Sequence, residues 1–190
     1  MDQRIFRAIN QFSGRYRLLD RIMITISQKL RYLFILIFIV LWFRNHFYKK
    51  LTINTGISIV LAMLINIFIR LCTFRRRPFL NHVVHLLPPV PSKRNSSFPS
   101  KHTTLVFAAA TFAYFYHRML GIVMYVLSFL AGISRIWMGQ HYPSDIAGSA
   151  LLGSFISLMV KNTERVWNPL YEKIIQRYKR FLEAIGNPLS

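Results

Sequence analysis

The stretch SRIWMGQHYPSD, residues 134–145, carries residue types that can transfer a phosphoryl group. Arg135 stands six positions before His141, and Asp145 follows His141 by four. Asp145 is the only carboxylate between Arg21 and Thr163. A carboxylate beside an imidazole accepts a hydrogen bond from one ring nitrogen, fixes the tautomer and leaves the other nitrogen as a nucleophile. The orienting carboxylate of hydrolase triads follows the same logic. Pro143 suits the first turn of a helix, so His141 falls just before that helix and Asp145 within its first turn.

Two further stretches supply what a phosphate needs. Arg70 lies seven residues before Arg77, itself followed by Pro78, and Phe98 to His102 reads FPSKH. The guanidiniums of Arg70, Arg77 and Arg135 can grip phosphate oxygens by planar, charge-assisted forks. Ser100 is placed as the N-cap of a helix, so the amides of Lys101 and His102 face outward from its positive end and form an anion site. With a phosphate so held, His141 can attack phosphorus in line to give a phosphohistidine. His102 can protonate the departing oxygen and then activate water. Arginines and helix-end amides would neutralise the equatorial oxygens. No metal or other cofactor is required, and the scarcity of carboxylates argues against a magnesium site.

Five segments approach the roughly 20 apolar residues of a membrane-spanning helix. They cover 30–48, 51–73, 102–118, 120–138 and 144–160. The shorter 18–27 is too charged to span and reads as interfacial or half-inserted, after an amphipathic surface helix over RIFRAINQF. The expected fold is an all-α integral membrane bundle of five transmembrane helices plus this N-terminal segment, forming one domain over 1–190. Gly148, Ala150, Gly153 and Ser154 would let the fifth span pack closely. Alternation puts the loops 74–101 and 139–143 on one side. The tail, with Lys161, Arg165, Lys173, Arg177, Lys179 and Arg180, falls on the other, which the positive-inside rule makes cytoplasmic. The N-terminus lacks a long apolar core followed by a small-residue cleavage site, which predicts no cleaved signal peptide.

Composition narrows the classes. Of the 190 residues 53% are hydrophobic, and 25 Lys and Arg face 6 Asp and Glu, for a net charge of +19. Nucleic acid, anionic lipid and phosphorylated substrates all suit such a charge. Long apolar segments between the charges favour the membrane over nucleic acid. A single cysteine, Cys72, excludes an intrachain disulfide framework and a multi-cysteine zinc site.

Taken together, Arg70-x6-Arg77-Pro78, Pro99-Ser100-Lys101-His102 and Ser134-Arg135-x5-His141-x3-Asp145 resemble the signature of the type 2 phosphatidic acid phosphatase superfamily. That signature reads Lys-x6-Arg-Pro, Pro-Ser-Gly-His and Ser-Arg-x5-His-x3-Asp. Arg70 and Lys101 depart from it, standing where the family has lysine and glycine. The resemblance covers about residues 50–160. Within the superfamily, RPF, SRIWMGQHYPSD and IFRAIN look like bacterial undecaprenyl-diphosphate phosphatases of the bacitracin-resistance type. That likeness implies a polyprenyl diphosphate substrate, membrane lipid as the surrounding partner and a site on the outer face of the plasma membrane. The ammonium of Lys101 could favour a substrate with two phosphates.

Other roles stay open beside this one. Phosphatidate or phosphatidylglycerophosphate is the alternative substrate, and a permease or accessory subunit is the alternative outside enzymes. His46, His82, His85 and His117 read as structural, Arg75 and Arg76 as lipid or solvent contacts, and Ser134 as a support for Arg135. Trp137 and Tyr142 fit either an aromatic belt or packing beneath the site.

Overall fold

The computed structural model describes residues 1–92 and 95–184, apart from the side chains of Trp167, Lys179, Leu182 and Glu183. Of the tail cations expected to mark the cytoplasmic side, the Lys179 side chain therefore lies outside the described residues. Every regular element among the described residues is helical: α1 (Asp2–Asn10), α2 (Arg17–Trp42), α3 (His46–Cys72), α4 (Pro78–Asn81), α5 (Lys101–Tyr116), α6 (Arg118–Trp137), α7 (Pro143–Asn162) and α8 (Glu164–Ala184).

By length and composition, α2, α3, α6 and α7 can each cross a membrane. Their outward faces are apolar: Leu33, Leu36, Ile39 and Val40 of α2, and Val60, Leu64, Ile67 and Phe68 of α3, are 42–65% exposed. Such faces suit lipid as solvent. α5 is 16 residues long, about 24 Å at the α-helical rise. It is the central helix, with Ala108, Ala109, Ala110, Phe112 and Ala113 fully buried.

The expected interfacial segment 18–27 is a correction: it forms the opening turns of α2, continuous with the first span. The charge that argued against this is satisfied inside the protein. Asp20 is buried and accepts hydrogen bonds from the Gly14 amide and the Trp137 indole Nε1, the latter at 2.8 Å. No proline or glycine interrupts residues 17–42. The first span also ends earlier than its expected limit of 48. Asn45 caps α3 by accepting from the Tyr48 amide at 3.1 Å, so residues 46–48 open the second span rather than end the first. The amphipathic surface helix expected at the N-terminus is α1, which packs Phe6 against Ile136 and Tyr142.

Gly153 and Ser154 of α7 face α5, while Gly148 meets the Phe98 ring. A Cβ on Gly153 would stand 2.4 Å from the Thr104 carbonyl oxygen and 3.0 Å from the Ala108 amide nitrogen, both backbone atoms that cannot turn aside. The Ser157 hydroxyl donates to the Ala108 carbonyl at 2.8 Å, and Asn66 of α3 donates to the Thr104 hydroxyl at 2.9 Å. Close approach lets these short polar side chains bond across helices in an apolar interior. Gly153→Ala is therefore expected to cost about 1–3 kcal/mol through overpacking, read as a lower Tm in detergent. An unchanged Tm would mean that α5 and α7 are not locked at this contact.

The starts of α2, α5 and α7 and the ends of α3 and α6 meet at one end of the bundle. The other end is fastened by Glu164, which pairs with Lys50 at 2.8 Å and Lys161 at 2.5 Å and accepts from the Tyr116 hydroxyl. Burial raises the Glu164 carboxyl, but Lys161, Lys50 and Tyr116 outweigh it and bring it down to about 2. The chemistry-bearing residues all belong to the first end.

Candidate active site

His141 sits in the turn between α6 and α7. Gly139, at φ +76°, reverses the chain there in a conformation glycine adopts without strain. Pro143 opens α7 as expected, and Asp145 in its first turn accepts from the Tyr142 amide at 2.9 Å. Both side chains are buried, His141 at 2% and Asp145 at 0% exposure.

The two rings of contact around His141 are asymmetric. Its Nε2 faces Arg77, whose Nη1 lies 3.2 Å away. Guanidinium is donor only, so Nε2 is the acceptor and the proton belongs on Nδ1. Nδ1 faces the carboxylate oxygen Oδ2 of Asp145 at 3.8 Å and makes no hydrogen bond. The expected tautomer is thus present, but the expected hydrogen bond to Asp145 is replaced by a longer charge contact. The reason lies in the other partners of Asp145. Arg75 Nη1 donates to Oδ1 at 2.7 Å, and the Ser97 hydroxyl donates to Oδ2 at 2.5 Å.

Neither residue belongs to the three sequence motifs. Arg75, expected against lipid or solvent, instead bridges Asp145 to Asp2 of α1, at 2.7 Å to each, and lies 4.8 Å over the Tyr142 ring. Asp2 also accepts from the Ser144 amide at 3.0 Å. Arg76 is exposed, as expected. Ser97 had a weak signal, a serine beside the FPSKH stretch. Arg75 and Asp2 had none, since nothing local joins residue 2 to residue 75.

Arg77 is buried and gathers the loop around itself, donating to the carbonyls of Asn95, Gln140 and Ser96 at 3.1–3.3 Å. Burial and the neighbouring Arg70 bring its guanidinium down to about 10, still charged at neutral pH. Arg70 donates to the Pro99 carbonyl at 3.2 Å. Ser100 occupies the N-cap position of α5, but its hydroxyl makes no bond to a helix amide. It accepts from the Thr103 hydroxyl at 3.1 Å, while the Ser100 amide donates to the Ser149 hydroxyl at 2.7 Å. Ser134 donates to the Ala131 carbonyl, a helix contact. Trp137 and Tyr142 pack beneath the site, both buried.

A cavity of about 200 Å³ opens beside this core, lined among others by His102, Arg135, Gln140 and Arg31. Arg135 is buried, donates to the Ser27 hydroxyl at 2.7 Å and leaves its Nε unpartnered. His141, next to Gln140 in the chain, is not among the residues that line the cavity. Lys101 is exposed and does not line the cavity, so its ammonium is not where a second phosphate would meet it. The structure thus groups Arg77, His141 and Asp145 tightly, sets His102 and Arg135 on the adjoining wall, and leaves Lys101 at the surface. Among the described residues no three His, Cys, Asp or Glu side chains converge as a metal-binding group. The charge available to a phosphate is guanidinium.

Burial pushes the His141 imidazole down from the ordinary 6.5 to about 4; Asp145 opposes this, and Arg135 and Arg77 reinforce it. The fold holds the ring neutral. The stability it gains this way is complete above pH 6.5 and is lost as pH falls through the interval towards 4. A neutral ring is also the nucleophilic form, and kcat/KM reports the free enzyme. The acid limb of kcat/KM is therefore expected well below 6.5, towards 4; a limb at 6.5 would mean a solvent-exposed ring.

Comparison with known proteins identifies the family. A family model of the PAP2 superfamily matches residues 51–168, a range that spans Arg70 to Asp145. The chain is 34% identical over 191 aligned residues to undecaprenyl-diphosphatase BcrC of Bacillus subtilis, covering 100% of this chain and 96% of that one. It is 31% identical over 179 residues to the bacitracin transport permease protein BcrC of Bacillus licheniformis, covering 90% and 88%. The crystal structure of Aquifex aeolicus LpxE superposes with a TM-score of 0.61 at 28% identity, over 85% of this chain and 94% of that one.

Proposed function

The chain belongs to the PAP2 superfamily, and from that premise we propose that it is a membrane phosphatase converting undecaprenyl diphosphate to undecaprenyl phosphate. The observation that carries the chemistry is the buried line Arg77–His141–Asp145, a guanidinium on the nucleophilic nitrogen and a carboxylate behind the other. The substrate follows from full-length similarity to an undecaprenyl-diphosphatase.

In the proposed reaction a terminal-phosphate oxygen takes the place of Nε2 as acceptor for the Arg77 N–H groups. The Nε2 lone pair attacks phosphorus, forming the N–P bond as the bridging P–O bond breaks. Undecaprenyl phosphate departs, with His102 supplying a proton to its oxygen. His102 then removes a proton from water, whose oxygen attacks the phosphohistidine. The N–P bond breaks, inorganic phosphate leaves and His141 is restored. Arg70, Arg77, Arg135 and the amides of Lys101 and His102 carry the oxygen charge, so no metal takes part.

The whole chain acts as one catalytic domain in this reading, with five crossings. α5 completes a span despite its length because protein, not lipid, surrounds it. Alternation with the basic α8 inside puts the site on the extracytoplasmic face of a bacterial plasma membrane, where a spent lipid carrier is presented.

The test is phosphate release by detergent-solubilised protein, with EDTA, from undecaprenyl diphosphate, farnesyl diphosphate, phosphatidate and phosphatidylglycerophosphate. Diphosphates are expected to be preferred and activity to survive EDTA. Preference for phosphatidate would overturn the substrate, and loss in EDTA would overturn the metal-free step. The permease reading has the name of the Bacillus licheniformis relative behind it; bacitracin efflux without phosphate release would favour it.

A further inference from the structure

One wall of the polar cavity comes from none of the sequence motifs. Ser27, Gln28 and Arg31 of α2 line it together with His102 and Arg135. Arg31 Nε is enclosed and makes no hydrogen bond, as is Arg135 Nε. Arg31 Nη2 donates to the hydroxyl of its neighbour Tyr32 at 2.8 Å, and its guanidinium lies 4.7 Å over that ring. Among the described residues neither Arg31 nor Arg135 forms a salt bridge with a carboxylate. Enclosed guanidinium N–H groups without acceptors are costly, and an anion in the cavity would supply acceptors to both.

A second, apolar space lies further along the same helices. It measures about 550 Å³ and is lined by Phe34, Ile35 and Phe38 of α2, Gly56 and Ile59 of α3, and Leu105 of α5, among others. Phe34 and Ile35 follow Arg31 by three and four residues, and Leu105 follows His102 by three. Those spacings place the linings of both spaces on the same helix faces. Counted from the end of the bundle that holds His141, the polar lining of His102, Arg135 and Arg31 then comes before the apolar lining on α2 and α5. A lipid diphosphate presents terminal phosphate, second phosphate and hydrocarbon tail in that same order.

We propose that Arg31, with Gln28 and Ser27, is the subsite for the second phosphate, the one that departs with the lipid, and that the tail follows the α2–α5 groove. The proposal rests on the diphosphatase reading. It makes Arg31 the residue that distinguishes a diphosphate from a monoester. When the bridging P–O bond breaks, negative charge accumulates on the second phosphate, where a guanidinium in an enclosed site stabilises it. A phosphatidate places uncharged glycerol atoms at the same point and draws nothing from Arg31.

The experiment compares kcat/KM of wild type, Arg31→Gln and Arg31→Lys on undecaprenyl diphosphate and phosphatidate in the same detergent. Arg31→Gln is expected to lower the diphosphate value by about 100-fold while leaving phosphatidate within about threefold, the loss of one preorganised charge. Arg31→Lys should recover part of the diphosphate activity. Equal loss on both substrates, or no loss on either, overturns the proposal while leaving the diphosphatase reading intact. A wild type inactive on undecaprenyl diphosphate overturns both. Gly56 has no atom within 4 Å of where its Cβ would stand, so Gly56→Phe adds bulk to the groove and should raise KM for undecaprenyl diphosphate; an unchanged KM removes the tail from this groove.

Discussion

Replacing His141 with alanine is expected to lower kcat by at least about 10⁴-fold, the scale on which enzymes lose activity with their covalent nucleophile. The proposed reaction has no second route: among the described residues, only the Nε2 of His141 is a ring nitrogen placed against Arg77 with a carboxylate facing its other nitrogen. Brief incubation of wild type with substrate labelled in the terminal phosphate should leave label on the protein that is lost in acid and kept in base, as a phosphorus–nitrogen bond requires. His141→Ala should carry none. His102→Ala should carry label longer than wild type, because His102 activates the water of the second step. Wild-type-like turnover by His141→Ala, or label that survives acid, would end the phosphohistidine mechanism. Tm must be measured alongside, since His141 is 2% exposed and its loss leaves a void in the turn.

Asp145→Asn should be the second most damaging change, and it separates a catalytic role from a structural one. Asp145 has enough structural work to explain its presence: it holds the Tyr142 amide, the Ser97 hydroxyl and Arg75. Asparagine can keep its carbonyl toward Tyr142 and Ser97. Its NH2 then meets the Arg75 guanidinium donor to donor, which costs about 1–3 kcal/mol if Arg75 cannot turn away. Arg75 is 39% exposed and retains Asp2, so the cost belongs at the low end. The catalytic cost is larger. As Nε2 bonds to phosphorus the ring becomes cationic, and among the described residues only the Asp145 carboxylate, 3.8 Å from Nδ1, pairs with that ring. Loss of such a carboxylate in a triad lowers kcat by about 10⁴-fold, and about 10³-fold is expected here because the contact is long. A fall of less than tenfold with a normal Tm would make Asp145 a helix-start clamp and nothing more.

Much of the site was legible because its spacing is local. His141, Pro143 and Asp145 fall within five residues at the start of one helix, and a helix start permits few arrangements of them. The membrane class was equally legible, because apolar runs of spanning length are a one-dimensional signal. The limits of α2 were not. Asp20 made 18–27 look too polar to span, and its bonds to the Gly14 amide and to Trp137, 117 residues away, show how that charge is accommodated. The three arginines 75–77 show the same division more sharply. They are identical in type and adjacent in sequence, yet Arg77 is buried on His141, Arg75 holds Asp145 and Arg76 is exposed.

By itself, then, the sequence determined the chemistry available and the medium in which it operates: an imidazole, a carboxylate and several guanidiniums at the ends of apolar helices. The tertiary structure decided which guanidinium meets which atom, that Asp145 is divided among Arg75, Ser97 and the Tyr142 amide, and that Arg31 joins the cavity while Lys101 does not. The physical reason is that residue types and short spacings are fixed by the chain. A pairing between α1 and the loop after α3, or between α2 and α6, is set by how the helices pack, and a different packing of the same helices would give each charge a different partner.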